Sequence, residues 1–180
     1  YDQIAGYEFD QIFPGSRIID IHEYLLEKGI TLPAAQQGAY LYHEPCHNPM
    51  KLGDSTKTVK ALIGDNVFKN NRCCGESCTL RVTRHDSSTQ VRFRKEEEIR
   101  KGAAKLRAAG LAGDKHNVKI LTSCPSCLQG LKRYEDDLPD GGLLEADYIV
   151  IEMARHILGE NWLKDYVDRA NAGGIERVLV

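Results

Sequence analysis

The chain has 180 residues, of which 24 are Lys or Arg and 26 are Asp or Glu, so its formal net charge is −2. This balance excludes the strongly basic surface with which many nucleic-acid-binding proteins approach phosphates, and no apolar run reaches the roughly 18 residues of a membrane-spanning helix. The length favours a single domain over residues 1–180. Because the first residue is Tyr1 and not Met, we expect a fragment of a longer polypeptide.

The first half of the chain predicts short elements that lead towards cysteines. Apolar residues at helical spacing indicate the first helix. In chain order the pattern predicts a helix over 17–28 capped by Ser16, a buried strand over 38–43, a helix over 55–63 that ends at Gly64, and a weak strand over 66–68. The first strand runs directly into Cys46, and the second leads to a turn at Cys73 and Cys74.

The second half predicts longer helices around one clear strand. Its longest helical segment is dense in charge and carries Glu96 and Arg100 in the favourable i,i+4 order. The predicted elements are a helix over 87–109, a strand over 117–121, a helix that carries Cys124 and Cys127, a helix over 145–158, a shorter helix over 162–170 and an apolar tail over 175–180.

Strands that alternate with helices predict an α/β fold with a mainly parallel sheet flanked by helices. Each group of cysteines follows a predicted strand. In open parallel sheets, ligand sites form outside the carboxyl ends of the strands. We therefore expect the cysteine loops to meet at one edge of the sheet, although they lie far apart in the sequence.

The cysteines fall into a pattern that packing alone does not explain. The three groups are Cys46, Cys73-Cys74-Gly75 with Cys78, and Cys124-Pro-Ser-Cys127. Buried cysteine can act as a small hydrophobe, which would account for one or two of the six. A disulfide framework belongs to smaller and more cysteine-rich secreted chains, and redox-active disulfides are a further alternative. Thiolates are soft ligands that select zinc, copper(I) and iron–sulfur clusters, so the pattern favours a metal centre.

The residues around the cysteines fit ligation. Cys124 and Cys127 are expected at the start of a helix, where the helix dipole stabilises thiolates. Gly75 allows a positive φ or a close approach of a bulky cofactor. His43 and His47 flank the first cysteine, and each could donate a hydrogen bond to sulfur, bind zinc, or belong to a solvated loop.

The cysteine motif resembles the CCG cysteine-rich domain, over about residues 42–128. This family includes the cysteine-rich subunit of heterodisulfide reductase, the iron–sulfur subunits of anaerobic glycerol-3-phosphate dehydrogenase and glycolate oxidase, and lactate-utilisation proteins. The similarity extends to His47 and Pro125. Lys51, the segment 94–102 and the run from Leu121 to Cys124 are similar to the C-terminal part of bacterial FAD-linked oxidases that are fused to iron–sulfur modules.

The resemblance implies a cofactor and its ligands. In heterodisulfide reductase the motif cysteines bind a noncubane [4Fe–4S] cluster, and some relatives hold zinc instead. The matching residues in this chain are Cys46, Cys73, Cys74, Cys124 and Cys127, together with Gly75 of the turn. We expect Cys78 to be a neighbour of the site, because five cysteines already complete the motif.

The implied function is electron transfer within a flavin-linked oxidoreductase. The chain has neither a GxGxxG nor a Walker motif, so FAD is expected in another domain of the same polypeptide or in a partner subunit, and the segment alone is not a complete enzyme. Thiols held as ligands favour a reducing, cytoplasmic location, with contact to the inner face of the membrane only through a partner. The alternatives are a zinc-binding structural or docking module and, third, a dithiol redox enzyme that uses Cys124 and Cys127.

Overall fold

A computed structural model describes residues 11–34, 38–46, 48, 50, 53–76, 82–112, 118–136 and 144–174. Strands and helices alternate along most of this chain. In order, the elements are α1 (Ile21–Glu27), β1 (Tyr40–His43), α2 (Ser55–Ile63), β2 (Val67–Lys69), α3 (His85–Ala108), β3 (Val118–Thr122), α4 (Pro125–Asp136), β4 (Leu144–Tyr148), α5 (Ile149–Leu158) and α6 (Trp162–Arg169), followed by a π-helical turn, Ala170–Gly174. None of the helices in these residues is long and apolar enough to cross a membrane.

The four strands form one all-parallel sheet in the order β2-β1-β3-β4. At its carboxyl edge His43 of β1 pairs with Thr122 of β3, and Thr122 pairs with Tyr148 of β4. The predicted α/β class and the position of the cysteine loops at the carboxyl ends of strands are confirmed. The three strands that precede cysteines are neighbours in the sheet, with β1 in the middle.

Helices cover both faces of the sheet. Alternate strand residues point to opposite faces, so Leu41 and Ile120 belong to one core cluster while Tyr42 and Leu121 belong to the other. The first cluster is completed by α3 and α4, and the second by α2 and α5. Because the sheet is buried on both sides, its strands are held rigidly and fix the positions of the loops at their ends.

The first helix begins later than predicted. We expected Ser16 to cap a helix over 17–28, but the N-cap is Asp20, whose side chain accepts a hydrogen bond from the backbone N–H of His22 at 2.9 Å. Aspartate is at least as good an N-cap as serine, so the later cap defines the start. His22 is buried and its Nδ1 lies 2.7 Å from the Asp20 carboxylate.

A fourth strand replaces the start of a predicted helix. The segment 145–158 was expected to be one helix, which is wrong for its first residues, because β4 (Leu144–Tyr148) pairs with β3 before α5 begins. Leu144 and Ala146 are buried while Glu145 between them is exposed, which is the alternation of a strand. The sequence prediction extended the helical spacing of the apolar residues of α5 back over this short segment, and the strand was therefore read as part of the helix.

The remaining predicted elements agree with the structure within about two residues. The strand expected over 117–121 is Val118–Thr122, and the helix expected over 87–109 is His85–Ala108. Gly64 ends α2 with a φ of 109°. The apolar tail over 175–180, His47 and Cys78 lie outside the described residues.

Candidate metal centre

The cysteines gather at the carboxyl edge of the sheet. Cys46 follows β1, Cys73 and Cys74 follow β2, and Cys124 and Cys127 follow β3. Because these three strands are adjacent and parallel, their carboxyl ends deliver all three loops to the same place. The topology thus brings together residues that are remote in sequence.

Four of the sulfurs form a continuous group. The Sγ atoms of Cys74 and Cys127 lie 3.5 Å apart, and those of Cys46 and Cys73 lie 3.9 Å apart. Cys73 and Cys74 are adjacent in the chain and join the two pairs. These distances far exceed the roughly 2.05 Å of a disulfide bond, and all four cysteines are free thiols. The geometry is that of neighbouring donors which could share a soft cation or cluster.

The fifth cysteine lies at the border of this group. Cys124 immediately precedes α4 and is partly exposed, whereas Cys127 in the first turn of α4 is buried. Burial raises the pKa of Tyr148 at the end of β4, and Cys124, Asp147 and Cys127, in that order, raise it further. Tyr148 therefore flanks the two cysteines of the last pair.

The turn at Gly75 is fixed by its backbone conformation. Its φ is +76°, and an added Cβ would lie 3.1 Å from Cγ of Arg92 and 3.3 Å from the carbonyl oxygen of Ser88. The N–H of Gly75 donates to Sγ of Cys73 at 3.4 Å, and its carbonyl accepts a hydrogen bond from Oγ of Ser88 at 2.9 Å. Only glycine combines this φ with such close packing, which supports the expected role of Gly75 in shaping the site.

Helix α4 approaches the same turn at a glycine that the sequence had not singled out. A Cβ on Gly130 would lie 3.0 Å from Cβ of Glu76 and 3.5 Å from Cβ of Cys74. Arg133, further along α4, donates to the buried Glu76 carboxylate at 2.8 Å. An isolated glycine inside a helical pattern is the signal that could have marked this close contact.

His43 lies beside the buried sulfurs. One of its ring nitrogens and the Sγ atoms of Cys74 and Cys127 all lie within 4.8 Å of one another, and the group could hold a metal ion. The side chain is only 1% exposed. Burial, together with the charge of Lys95, lowers the pKa of His43 to about 3, so the imidazole is neutral at physiological pH.

Lys95 of α3 is a buried cation next to this group. It is fully enclosed, and its Nζ lies 3.0 Å from Nδ1 of His43 and 2.8 Å from the carbonyl oxygen of Asn71. Burial lowers the pKa of Lys95 to about 8, while the nearby Cys74 opposes this shift. Sequence reasoning missed Lys95, because a lysine in a highly charged helix is usually on a solvated face.

The free thiols hold their protons tightly. The contact with Cys127 raises the pKa of Cys74 to about 11. The contact with Cys74 and burial raise the pKa of Cys73, and burial followed by the charge of Cys73 raises that of Cys46. A metal ion would have to displace these protons, since thiolates and not thiols are ligands.

A cleft of about 230 Å³ connects the outer pair of cysteines to the surface. It is lined by Cys46 and Cys73 and by residues that follow β2, among them Arg72, whose φ is +71°. A larger cleft of about 390 Å³ runs along the edge strand β2 and is also lined by residues of α2 and α3. None of the described cysteines lines it. Of these two clefts, only the smaller offers a route to the candidate metal centre.

The comparisons with known proteins concern the C-terminal part of the chain. A family model described as a domain of unknown function, DUF3400, matches residues 132–180. That stretch begins after the last cysteine and includes β4, α5 and α6. No curated protein and no solved structure matches the chain.

Proposed function

We propose that this chain is an iron–sulfur electron-transfer module of the CCG type, which serves a flavin-linked oxidoreductase. The observation that carries the proposal is the meeting of four free thiols, delivered by three neighbouring strands, with sulfur pairs at 3.5 and 3.9 Å. Such convergence is expected of ligands and has no purpose in a hydrophobic core, where one or two cysteines would serve as small apolar residues.

The donor set favours a cluster over a single zinc ion. A structural zinc site takes four ligands in a tetrahedron. This chain supplies Cys46, Cys73, Cys74 and Cys127 in one group, with Cys124 at its border, and a fifth thiolate exceeds what one zinc ion needs. Iron–sulfur clusters are held by cysteine thiolates and supply reversible one-electron transfer when bound.

The roles of the chain's own residues follow from their positions. The five cysteines would hold the cluster, and Gly75 lets the turn after β2 come close to it. The buried sheet keeps the three loops in place, so that little rearrangement is needed when an electron arrives or leaves. The cleft beside Cys46 and Cys73 lies where an electron donor or acceptor could come near.

The flavin belongs elsewhere in this proposal. The sequence carries neither of the glycine-rich nucleotide-binding motifs, so the FAD-binding domain would be another part of the same polypeptide or a partner subunit. The module would then pass electrons between the flavin and an acceptor, in a cytoplasmic enzyme or one held at the inner face of the membrane by its partner.

One observation favours a second candidate, a zinc-holding structural or docking module. The buried group of His43, Cys74 and Cys127 offers one nitrogen and two sulfurs within 4.8 Å. Mixed nitrogen and sulfur ligands are typical of zinc. In this alternative the metal would stabilise the carboxyl edge of the sheet and would have no redox role.

Anaerobic reconstitution with iron and sulfide, followed by metal analysis and absorption spectroscopy, tests the proposal. We expect bound iron and sulfide, broad visible charge-transfer absorption, and reversible bleaching on reduction. Cys74→Ser is the negative control and should remain colourless. Aerobic preparation should give zinc or an empty site because exposed clusters are oxidised. A colourless protein that carries only zinc after careful anaerobic reconstitution would favour the structural alternative.

A further inference from the structure

The larger cleft, which runs along the edge strand β2, has a strongly basic wall. Its volume of about 390 Å³ lies within the range of small-molecule sites. Four lysines and a single acid, Glu98, line it, so the wall carries a formal charge of +3 on a chain whose net charge is −2. The lysines are Lys60 of α2, Lys69 of β2, and Lys101 and Lys105 of α3. We call it the lysine cleft.

Three of these four cations lack a counter-charge in the part of the chain that the structure describes. Lys69 is paired with the carboxylate of Glu44, whereas Lys60, Lys101 and Lys105 form no ion pair with a described residue. Lys101 and Lys105 are also at i,i+4 in α3, where like charges destabilise a helix. A bound anion would supply the missing negative charge and remove this repulsion.

The ordinary roles of lysine account for only part of this arrangement. A cation in the last turn of a helix interacts favourably with the helix dipole, and this explains Lys60 in α2 and Lys105 in α3. Lysine on an edge strand discourages pairing with another chain, which explains Lys69. Neither role explains Lys101, which lies a turn before the end of α3, or the fact that cations of two helices and a strand line the same cleft.

The floor of the lysine cleft is apolar and closely packed. Leu41 is fully buried, Val67 is buried, and Phe68 is 37% exposed. A Cβ on Gly102 would lie 2.9 Å from Cδ2 of Leu41 and 3.0 Å from Nδ2 of Asn70, so α3 lies directly against this floor. An apolar floor with a few polar groups around it is typical of sites that take a small organic ligand.

The charges indicate which ligand chemistry fits. A phosphate monoester carries a charge of about −1.5 to −2 at pH 7 and three acceptor oxygens, whereas a carboxylate carries a single charge. Lysine binds phosphate as a point charge and does not need the planar fork of arginine. Several ammonium groups around one cleft therefore match a phosphoryl group better than a lone carboxylate.

We propose that the lysine cleft binds a small organic phosphate, whose phosphoryl group contacts Lys60, Lys101 and Lys105 and whose apolar part lies against Val67 and Phe68. None of the described cysteines lines this cleft, so the proposal does not depend on the metal centre. Lys69 and Asn70 line both clefts. A bound phosphate would thus lie next to the route that leads to the outer cysteines.

Titrations of the ¹⁵N-labelled chain, with and without reconstituted iron, test for the site. Adenosine monophosphate is the probe of an organic phosphate, and adenosine and inorganic phosphate are its two parts. We expect adenosine monophosphate to shift the amide signals of Phe68 and Gly102, inorganic phosphate to do so more weakly, and adenosine to have no effect. The proposal is wrong if neither phosphate shifts these signals. A chain that takes up no iron but shows the shifts would contradict the proposed function alone.

Single substitutions test whether the named lysines hold the phosphate. Lys60→Gln and Lys101→Gln should each raise the Kd for adenosine monophosphate about three- to tenfold, between the effects typical of an exposed ion pair and of a hydrogen bond to a charged group. Without phosphate, Lys101→Gln should be at least as stable as the wild type, because it removes the repulsion from Lys105. A less stable Lys101→Gln protein with unchanged Kd would show a structural role and overturn the proposal.

Lys57→Gln is the matched control. Lys57 is an exposed residue of α2 that does not line the cleft, and its substitution removes the same charge from the chain. Its Kd should equal that of the wild type, and equal weakening by Lys57→Gln and Lys60→Gln would reveal only a general attraction of anions. Sedimentation with vesicles that contain phosphatidic acid distinguishes a lipid headgroup. Binding to such vesicles without any response to adenosine monophosphate would also contradict a site for a small soluble phosphate.

Discussion

Ser88 of α3 donates a hydrogen bond to the carbonyl oxygen of Gly75 at 2.9 Å, and both residues are buried. This bond ties the turn that carries Cys73 and Cys74 to the longest helix of the protein. A turn with positive φ has few backbone partners of its own, so one side-chain bond from a rigid helix contributes much of its order. The two residues link the scaffold to the candidate metal centre.

The Ser88→Ala variant should therefore lose stability and bind metal less tightly. The buried Gly75 carbonyl would lose its partner, which typically costs about 1–3 kcal/mol. Thermal denaturation and competition with a chelator measure the two effects. The matched control is Ser87→Ala at the adjacent, less buried position of α3, which should change neither. Equal effects of the two substitutions would show that helix propensity and not this bond is responsible.

Gly130→Ala should destabilise the protein, contrary to the usual effect of this change. Within a helix, replacing glycine by alanine normally adds about 0.5–1 kcal/mol of stability. The new methyl group would lie 3.0 Å from Cβ of Glu76 and 3.4 Å from the carbonyl oxygen of Cys74, and such overpacking costs about 1–3 kcal/mol. Denaturant unfolding and metal content would report a less stable protein with a displaced cysteine turn. Gln129→Ala, at the exposed preceding position, should be neutral, and a more stable Gly130→Ala protein would contradict the close contact.

The comparison of Cys78→Ser with Cys74→Ser tests the ligand set. Cys74 belongs to the buried group of sulfurs, 3.5 Å from Cys127, so its loss should abolish metal binding and lower the thermal stability of the metal-loaded protein. Cys78→Ser should leave metal content nearly unchanged. Equal loss of metal in both variants would place Cys78 among the ligands.

Glu152 of α5 should make the fold sensitive to acid. Its buried carboxylate accepts hydrogen bonds from Lys119 at 2.9 and 3.0 Å and from the hydroxyl of Tyr40 at 3.0 Å, with Arg155 and His156 also in contact. Burial alone would raise the pKa of Glu152, but Lys119, Tyr40 and Arg155 together outweigh it and hold that pKa below its ordinary value.

A lowered pKa stabilises the fold above the value of the unfolded chain, about 4.3, and this contribution disappears as the pH falls through the folded value. Glu152→Gln should lose about 2 kcal/mol at neutral pH, as is typical of a hydrogen bond to a charged group, and less below pH 4. Urea unfolding between pH 3 and pH 7 measures this. Glu160→Gln, on a carboxylate that is largely exposed, should follow the wild type at every pH.

The sequence predicted the layout of the site better than its inner contacts. Cysteines that follow strands in an alternating pattern were sufficient to place Cys46, Cys73, Cys74 and the last pair at one edge, because parallel strands share a carboxyl end. The strand Leu144–Tyr148 escaped prediction since it is short and runs directly into α5. This segment is a strand because it pairs with β3, and that pairing is a tertiary contact.

Lys95 and Gly130 were missed for a related reason. Lys95 lies in a helix rich in other charged residues, and only the packing of α3 against the cysteine turn distinguishes it. Gly130 stands out in the sequence as an isolated glycine, but what it contacts depends on the packing of α4 against the same turn. The spacing of apolar residues along a charged helix does not reveal that one of its lysines is buried. His43 was recognised as a neighbour of Cys46, but its partner on α3 lies 52 positions away.

The order of β2, β1 and β3 in the sheet also determines when, during folding, the thiols of the candidate metal centre come together. Cys74 and Cys127 are 53 positions apart, and no segment of the chain holds a complete set of thiols before the parallel strands have paired. Pairings between distant segments form late, because closing long loops costs entropy before contacts repay it. A metal ion at this site would therefore meet its full set of thiol ligands only once the sheet has formed, and a protein that delivered such an ion would encounter a finished edge of the sheet and its cleft instead of a nascent peptide.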